Sequence, residues 1–174
     1  MKKEELDLIL QEGEGLKAEF KESFNVSIAK EIVAFANSIG GRIFLGIDDK
    51  GNIKGIQITN KIKSQIQDIA RNCDPPVKIN LEERENMCII NVEEGKDKPY
   101  SCSEGFYLRE GSNSQKLKRD EILKLINDIG KIAYDELINE NFIYPQDFDK
   151  KKFNDFLIKL SIDKSIPINN LLIN

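Results

Sequence analysis

The segment that most constrains the fold is a short apolar run, Arg42–Ile47, which lies between a pair of glycines and a pair of aspartates. Its sequence, RIFLGI, is almost continuously apolar and is typical of a buried strand. The glycines end an amphipathic helix predicted over about Val26–Ser38. After Asp48 and Asp49 come turn residues and a short predicted return strand, IKGI. The chain must therefore place a helix, a buried strand and a tight turn in direct succession.

The spacing of apolar residues predicts the other elements. Helical spacing predicts helices over residues 3–11, 60–73 and from 118 or 119 to about 129. Alternation predicts strands at LKAEFKE, VKINLEE, MCIINVEE and FYLREGS. Helices and hairpins are thus mixed rather than in strict βαβ order. This order predicts an α+β fold: a two-layer sandwich in which helices pack on a mixed or antiparallel sheet.

The C-terminal part of the chain differs in composition from the rest. We place one domain at residues 12–128, after the short N-terminal helix, and a short helical C-terminal extension at residues 129–174. Helical patterns in the extension fall at KIAYDELINEN and DKKKFNDFLIKLS. The extension ends on an apolar segment, which indicates the start of a truncated downstream region; a natural terminus packed against the domain fits the pattern equally well.

The composition excludes several kinds of chemistry. The 174 residues include no histidine, which removes histidine bases, Ser-His or Cys-His nucleophile pairs and histidine metal ligands. The three cysteines form no CxxC pair, so we expect a reducing, cytoplasmic location. No apolar run approaches the roughly 20 residues that span a bilayer, and no membrane partner is predicted. Any catalysis must use carboxylates, lysine, tyrosine or a hard metal ion.

Three acids, Glu14, Glu19 and Asp49, are candidates for a catalytic metal site. An odd separation along a strand puts side chains on opposite faces, so the two glutamates converge only if the chain bends at Gly15. Pairing of the first strand near Arg42–Ile47 would bring the aspartate close. Three such carboxylates would bind Mg²⁺ or Mn²⁺ and support phosphodiester cleavage. The competing interpretation is a polar linker at EGEG and a solvated turn at the aspartates.

A basic polar stretch at residues 107–120, YLREGSNSQKLKRD, is the candidate nucleic-acid-binding segment. Cations and hydroxyl groups of this kind contact phosphates. The predicted contacts are Arg109, Ser112, Ser114, Lys116, Lys118 and Arg119, with Lys17, Lys21 and Arg42 extending the face. An ordinary charged loop and helix start is the alternative. The formal net charge of −4 counts against a generally basic protein but permits a local basic face.

Four segments in order, EFKES, IVAFANSIGGRIFLGIDDKGNIKGI, DPPV and FYLREGS, resemble the AlbA_2-type domain of the Schlafen family, also called the divergent AAA-4 domain. The resemblance covers about residues 12–128 and implies a two-layer α+β fold. Prokaryotic members are commonly described as DNA-binding transcriptional regulators, so the expected partner is DNA or RNA. The chain contains no Walker motif, and no ATPase activity is predicted for it.

The same resemblance implies an alternative function. Vertebrate Schlafen relatives include metal-dependent ribonucleases that act on tRNA and rRNA. Their three-carboxylate motif falls on Glu14, Glu19 and Asp49 of this sequence, with Lys21 as the motif lysine, and the cofactor would be Mg²⁺ or Mn²⁺. Those enzymes clamp RNA with two such lobes, and a homodimer would supply the second. A third interpretation is a protein-interaction or dimerisation module. Of the three, the nucleic-acid-binding module is our prediction.

Overall fold

The computed structural model describes residues 2–84, 86–129, 143 and 145–159. The chain divides into two compact units, residues 1–132 and 133–174. The helices of the first unit are α1 (Lys3–Glu12), α2 (Ile28–Asn37), α3 (Asn60–Arg71) and α4 (Arg119–Asp128). Its strands are β1 (Ala18–Lys21), β2 (Gly41–Leu45), β3 (Ile79–Arg84), β4 (Met87–Val92), β5 (Ser101–Cys102), β6 (Gly105–Glu110) and β7 (Asn113–Lys116). The second unit contains α5 (Lys150–Lys159).

The strands form two sheets. The larger sheet has the order β1-β2-β4-β3, and β1 is parallel to β2 while β4 is antiparallel to both of its neighbours. The smaller sheet has the antiparallel order β5-β6-β7. The combination of helices with mixed and antiparallel sheets confirms the predicted α+β fold.

Helix α2 lies at the centre of the main core. Every residue from Glu31 to Asn37 is buried, as expected for a helix that is apolar on nearly all sides. Its side chains pack in one cluster with Ile43 and Ile90 of the larger sheet and with Tyr107 of the smaller sheet. Helix α2 therefore connects the two sheets, and two of its polar residues, Glu31 and Asn37, lie inside the protein.

A second apolar cluster covers the other face of the larger sheet. It joins Leu6 of α1 to Phe20, Phe44 and Ile89 of the sheet, and the two phenylalanine rings meet edge to face with centroids 5.7 Å apart. Strand β2 is thus buried on both faces. This placement explains why its sequence is apolar at nearly every position rather than at alternate positions.

Most of the predicted elements are confirmed, but one predicted strand is absent and the strands β5 and β7 were not predicted. The return strand at IKGI is wrong: it forms only an isolated bridge from Ile53 to Ile47, because the N–H groups of Lys54 and Gly55 both bond to the Gly46 carbonyl. The polar segment NSQK, which had no apolar alternation to indicate a strand, forms the edge strand β7.

The extension is partly described. Helix α5 confirms the helical pattern at DKKKFNDFLIKLS, whereas the pattern at KIAYDELINEN lies outside the described residues. That a downstream region follows stays a prediction. Across the described ranges, no helix has the length and apolar character needed to cross a membrane.

Candidate functional site

Arg109 of β6 is enclosed by backbone carbonyls, and its side chain has no exposed area. Its Nε and Nη2 donate to the Gly15 carbonyl at 3.0 and 2.9 Å, and Nη2 also donates to the Ala18 carbonyl at 2.9 Å. The guanidinium carbon lies 4.8 Å from the centroid of the Phe35 ring, within cation–π distance. Arg109 thereby fastens the smaller sheet to the segment that leads into β1.

Two buried glutamates share this guanidinium group. Glu19 Oε2 lies 2.6 Å from Nη2, and Glu31 Oε2 lies 3.6 Å from Nη1. The exposed fractions of the two residues are 5% and 3%. Glu19 Oε2 makes no aligned hydrogen bond, so its pairing with Arg109 is electrostatic, while Lys21 Nζ donates to Oε1. The result is a cluster of two carboxylates and two cations, three members of which are buried.

The protonation of this cluster follows from burial and charge. Burial raises the pKa of Glu31 and the charge of Glu19 raises it further, against the opposing hydrogen bond that the Ser114 hydroxyl donates to Glu31. Partial burial lowers the pKa of Lys21, but the hydrogen bond to Glu19 and its charge outweigh that effect and leave the pKa raised. Glu31 therefore accepts a proton more readily than an exposed glutamate does.

Asn37 positions the smaller sheet against α2. Its Nδ2 donates to the carbonyls of Tyr100 and Tyr107, both at 2.8 Å, and its Oδ1 accepts from the Tyr100 N–H at 2.7 Å. The neighbouring Ser38 Oγ accepts from the Arg109 N–H at 3.0 Å. Because the Tyr107 side chain is buried, it packs in the core rather than presenting a surface on which a base would stack.

Two of the three carboxylates of the predicted metal site have partners within the protein. Glu14 Oε1 accepts from the Phe20 N–H at 2.9 Å, Glu19 pairs with Arg109 and Lys21, and Asp49 is exposed. In the ranges that the structure describes, no group of three His, Cys, Asp or Glu side chains could hold a metal ion. That the three carboxylates converge on Mg²⁺ or Mn²⁺ stays a prediction.

Asp48 has the role of a turn residue. Its Oδ2 accepts from Asn52 Nδ2 at 3.0 Å, and its Oδ1 accepts from the N–H groups of Asn52 and Lys50 at 2.8 and 3.0 Å. These bonds, with Asn52 as the main donor, lower the pKa of Asp48 to about 2. The interpretation of this pair of aspartates as a hairpin-type turn is confirmed for Asp48.

The residues predicted to contact nucleic acid fall into three groups. Lys17, Ser112, Lys116, Lys118 and Arg119 are exposed. Lys21 and Arg42 are partly buried and pair with Glu19 and Glu5, respectively. The surface placement of Arg109 is wrong, because the two glutamates and the carbonyls near β1 surround its guanidinium group. Ser114 likewise turns inward, towards Glu31 and Arg109.

The exposed cations are concentrated where β7 meets α4. Lys116 ends β7, and Lys118 and Arg119 begin α4. Leu117 between them is buried, and its N–H donates to the Phe106 carbonyl at 2.9 Å. None of the three cations forms an ion pair with any other described residue. We call Lys116, Lys118 and Arg119 the junction cations; they are held by an ordered backbone and face solvent.

Glu31 and Asn37 were not among the predicted site residues. Both lie in the helix IAKEIVAFAN, whose one other polar residue is Lys30. Glu31 occurs three residues after Ile28 and four before Phe35, at core spacing. A polar residue on the apolar face of a helix indicates a buried partner, so this spacing was the available signal. The partners themselves are far away in sequence and were not predictable from it.

The chain is similar to proteins of known family and of known structure. The protein-family model described as Schlafen, AlbA_2 matches residues 14–118. No curated protein matches the chain. Among solved structures, the DIP2311 protein from Corynebacterium diphtheriae is similar, with a TM-score of 0.48 and 17% sequence identity over 64% of this chain. The chain spans 24% of the length of that protein's chain.

Proposed function

The chain belongs to the Schlafen AlbA_2 family, and from that premise we propose that it is a nucleic-acid-binding module that contacts the phosphate backbone at the start of α4. The proposed contacts are the junction cations, with Ser112 in the β6–β7 turn and Lys17 as further candidates. We propose DNA as the ligand and a transcriptional regulator as the setting, in line with the resemblance of the sequence to prokaryotic regulators.

The observation that carries the proposal is the set of junction cations. Three exposed cations lie within four positions and have no carboxylate partner among the described residues. In a chain with a net charge of −4, we propose that these three cations attract anions locally, although Asp120 and Glu121 follow them in the first turn of α4. Each phosphate that such a group neutralises releases condensed counterions, which favours binding at low salt.

Contacts of this kind fix position and carry little sequence information. Lysine and arginine side chains that bind phosphate oxygens respond to the charge and spacing of the phosphates. Sequence is recognised through contacts to the edges of the bases. We therefore expect weak sequence preference and a steep dependence of affinity on salt.

The test is a titration of labelled duplex DNA by fluorescence anisotropy over a range of salt concentrations. The variant combines Lys116→Ala, Lys118→Ala and Arg119→Ala. We expect weaker binding and a decrease of about 3 in the slope of log affinity against log salt, about one for each lost phosphate contact. The matched control is Lys61→Ala with Arg71→Ala and Lys78→Ala, which removes the same number of exposed cations from another part of the first unit.

The control variant separates a binding surface from general electrostatics. If both triple variants lose affinity equally, net charge alone governs binding and the proposed surface is refuted. Absence of duplex binding by the unmodified chain at low salt would refute the proposal itself. Single-stranded RNA and tRNA of matched length serve as parallel ligands, and stronger retention of either would change the ligand from DNA to RNA.

No observation in the described part of the chain specifically favours the endoribonuclease alternative. It can be tested on the same samples. Incubation of tRNA with Mn²⁺, Mg²⁺ or EDTA, analysed on a denaturing gel, should leave the RNA intact. Metal-dependent cleavage that is lost in Asp49→Ala would instead establish that activity.

A further inference from the structure

A cleft with a volume of about 930 Å³ has properties that the proposed DNA contact does not explain. Its walls come from one face of α1, the loop at residues 13–18, the turn between α2 and β2, and the residues that follow β4. None of the junction cations lines it, although Lys17, a further candidate for that contact, does. The cleft is a separate surface of the same unit.

Apolar side chains are unusually exposed in this cleft. Leu8, Leu16 and Ile39 are 53%, 50% and 51% exposed, and all three line the cleft. Single exposed apolar residues are normal, but several around one concavity indicate an interaction site. Gly13 and Gly15 lie beside them, and a Cβ added at either glycine would meet no atom within 4 Å. The backbone there is open to close approach by a ligand.

The charges around the cleft are mostly negative. Its lining contains the carboxylates of Glu5, Glu12, Glu14, Glu93 and Glu94, against only two cations. Arg42 is one of these cations, and its Nη1 lies 2.5 Å from Glu5 Oε1. Glu94 pairs with Lys98 outside the lining at 2.7 Å. Glu12 and Glu93 are exposed and form no ion pair with any other residue that the structure describes. Lys17, the other cation, forms no ion pair within the described residues, so five carboxylates against two cations leave the lining with an excess of negative charge.

We propose that this cleft binds a basic amphipathic helix of a protein partner. The apolar face of such a helix would cover the three exposed apolar side chains, and lysine or arginine side chains at its edges would pair with Glu12 and Glu93. The residues that α1 contributes, Glu5, Leu8, Ile9 and Glu12, recur at intervals of three and four and so form one helix ridge. A second helix packs against a ridge of this kind.

Charge complementarity selects this occupant over two others. Nucleic acid would place phosphates against carboxylates. A second copy of the chain that met this face symmetrically would bring two negatively charged clefts together, which is unfavourable. A cationic apolar segment satisfies both features of the cleft.

The experiment uses the full chain and a synthetic probe. The probe is a fluorescein-labelled peptide of about four helical turns, built from leucine and lysine with leucine at intervals of three and four residues. We expect saturable binding in the micromolar range, measured by anisotropy. Two control peptides are a scrambled sequence of the same composition and an amphipathic peptide in which glutamate replaces lysine.

Variants locate the binding surface. Leu8→Asp with Ile39→Asp should weaken binding at least tenfold, because both place charge against the apolar face of the probe. Glu12→Gln with Glu93→Gln should weaken it severalfold and reduce its salt dependence. The matched control is Val26→Asp, since Val26 is 66% exposed but does not line the cleft. Circular dichroism melts of each variant identify any that fail to fold.

Several results would overturn the proposal. Equal binding of the scrambled or glutamate peptide, equal loss in Val26→Asp, or no binding at millimolar probe would each do so. A change of oligomeric mass in Leu8→Asp with Ile39→Asp, without loss of peptide binding, would instead identify a self-association surface. If that double variant fails to fold, the Glu12 and Glu93 variant, which changes exposed polar groups only, decides the question.

The two proposals fail independently. The triple alanine variant at the junction cations should bind the peptide normally, and Leu8→Asp with Ile39→Asp should bind DNA normally. Loss of both ligands in either folded variant would mean that the cleft and the junction are not separate surfaces.

Discussion

Arg109 and the junction cations come from one basic stretch, residues 107–120, and occupy opposite environments. The Arg109 side chain has no exposed area and contacts two carboxylates, whereas Lys116, Lys118 and Arg119 are exposed and form no ion pair within the described part of the chain. Arg109 faces α2 from β6, whereas the junction cations lie where the smaller sheet ends. The comparison shows that a positive side chain stabilises the packing at Arg109, whereas positive side chains at the junction are available to a ligand.

The difference in burial between Arg109 and the junction cations affects how much each contributes to the free energy of unfolding. A buried charge is stabilised only while its partners are present, so removing one partner leaves another charge desolvated and unpaired. An exposed charge loses little when it is changed, because water solvates what remains. Stability measurements should therefore separate the two groups clearly.

The largest effect is expected for Arg109→Ala. Loss of the guanidinium group leaves Glu19 and Glu31 buried without their shared cation, and we expect the free energy of unfolding to fall by roughly 3–5 kcal/mol. Urea denaturation followed by circular dichroism measures this change. Arg109→Lys should give an intermediate loss, because one ammonium group cannot replace the planar set of donors that reaches both backbone carbonyls. A loss below about 1 kcal/mol would remove the structural role assigned to Arg109.

A smaller loss is expected for Asn37→Ala. The substitution leaves the Tyr100 N–H and the carbonyls of Tyr100 and Tyr107 without their side-chain partner. We expect a decrease of roughly 2–3 kcal/mol in the free energy of unfolding, since unsatisfied buried polar groups are unfavourable. Asn113→Ala, at an exposed position of β7, is the control and should unfold like the unmodified chain. Equal stability of both variants would contradict the importance of this contact.

The pH dependence of Glu31 should give a smaller effect. Because its folded pKa is raised above 4.5, Glu31 contributes stability that is present below that value and is lost as the pH rises through the folded pKa. The stability of Glu31→Gln relative to the unmodified chain should therefore increase from about pH 4 to about pH 7. Denaturation at both values tests this, with Glu110→Gln on the exposed end of β6 as control. A difference that does not change with pH would contradict the assigned direction.

The smallest effect on stability is expected for the junction cations. Each alanine substitution should change the free energy of unfolding by no more than about 0.5 kcal/mol, as is usual for exposed surface residues. The same triple variant is expected to lose DNA affinity, so stability and binding should separate in this group. A large loss of stability would show that these cations have structural partners. It would contradict the claim that they differ from Arg109 in their contribution to stability.

Much of the fold was predictable because its signals are local. The continuous apolar run of β2, the helical spacing in α2 and α3 and the turn residues at Asp48 each depend on neighbours within a few positions. Prediction failed where the local signals were weak or misleading. Strand β7 is polar, and in the IKGI segment the N–H groups of Lys54 and Gly55 donate to the Gly46 carbonyl instead of forming a strand ladder.

The same distinction between local and distant contacts applies to the candidate site. The sequence by itself determined the set of available groups: no histidine, a basic stretch at 107–120 and acids near β1 and after β2. Only the tertiary structure decided which of them meet, because Arg109 reaches carbonyls more than 90 positions away and Ser114 reaches a glutamate 83 positions away. Such contacts depend on how α2 holds the smaller sheet against the larger one. Alternation along β6 and β7 gives no information about which partner lies opposite, so burial of Arg109 and exposure of Lys118 were decided by packing.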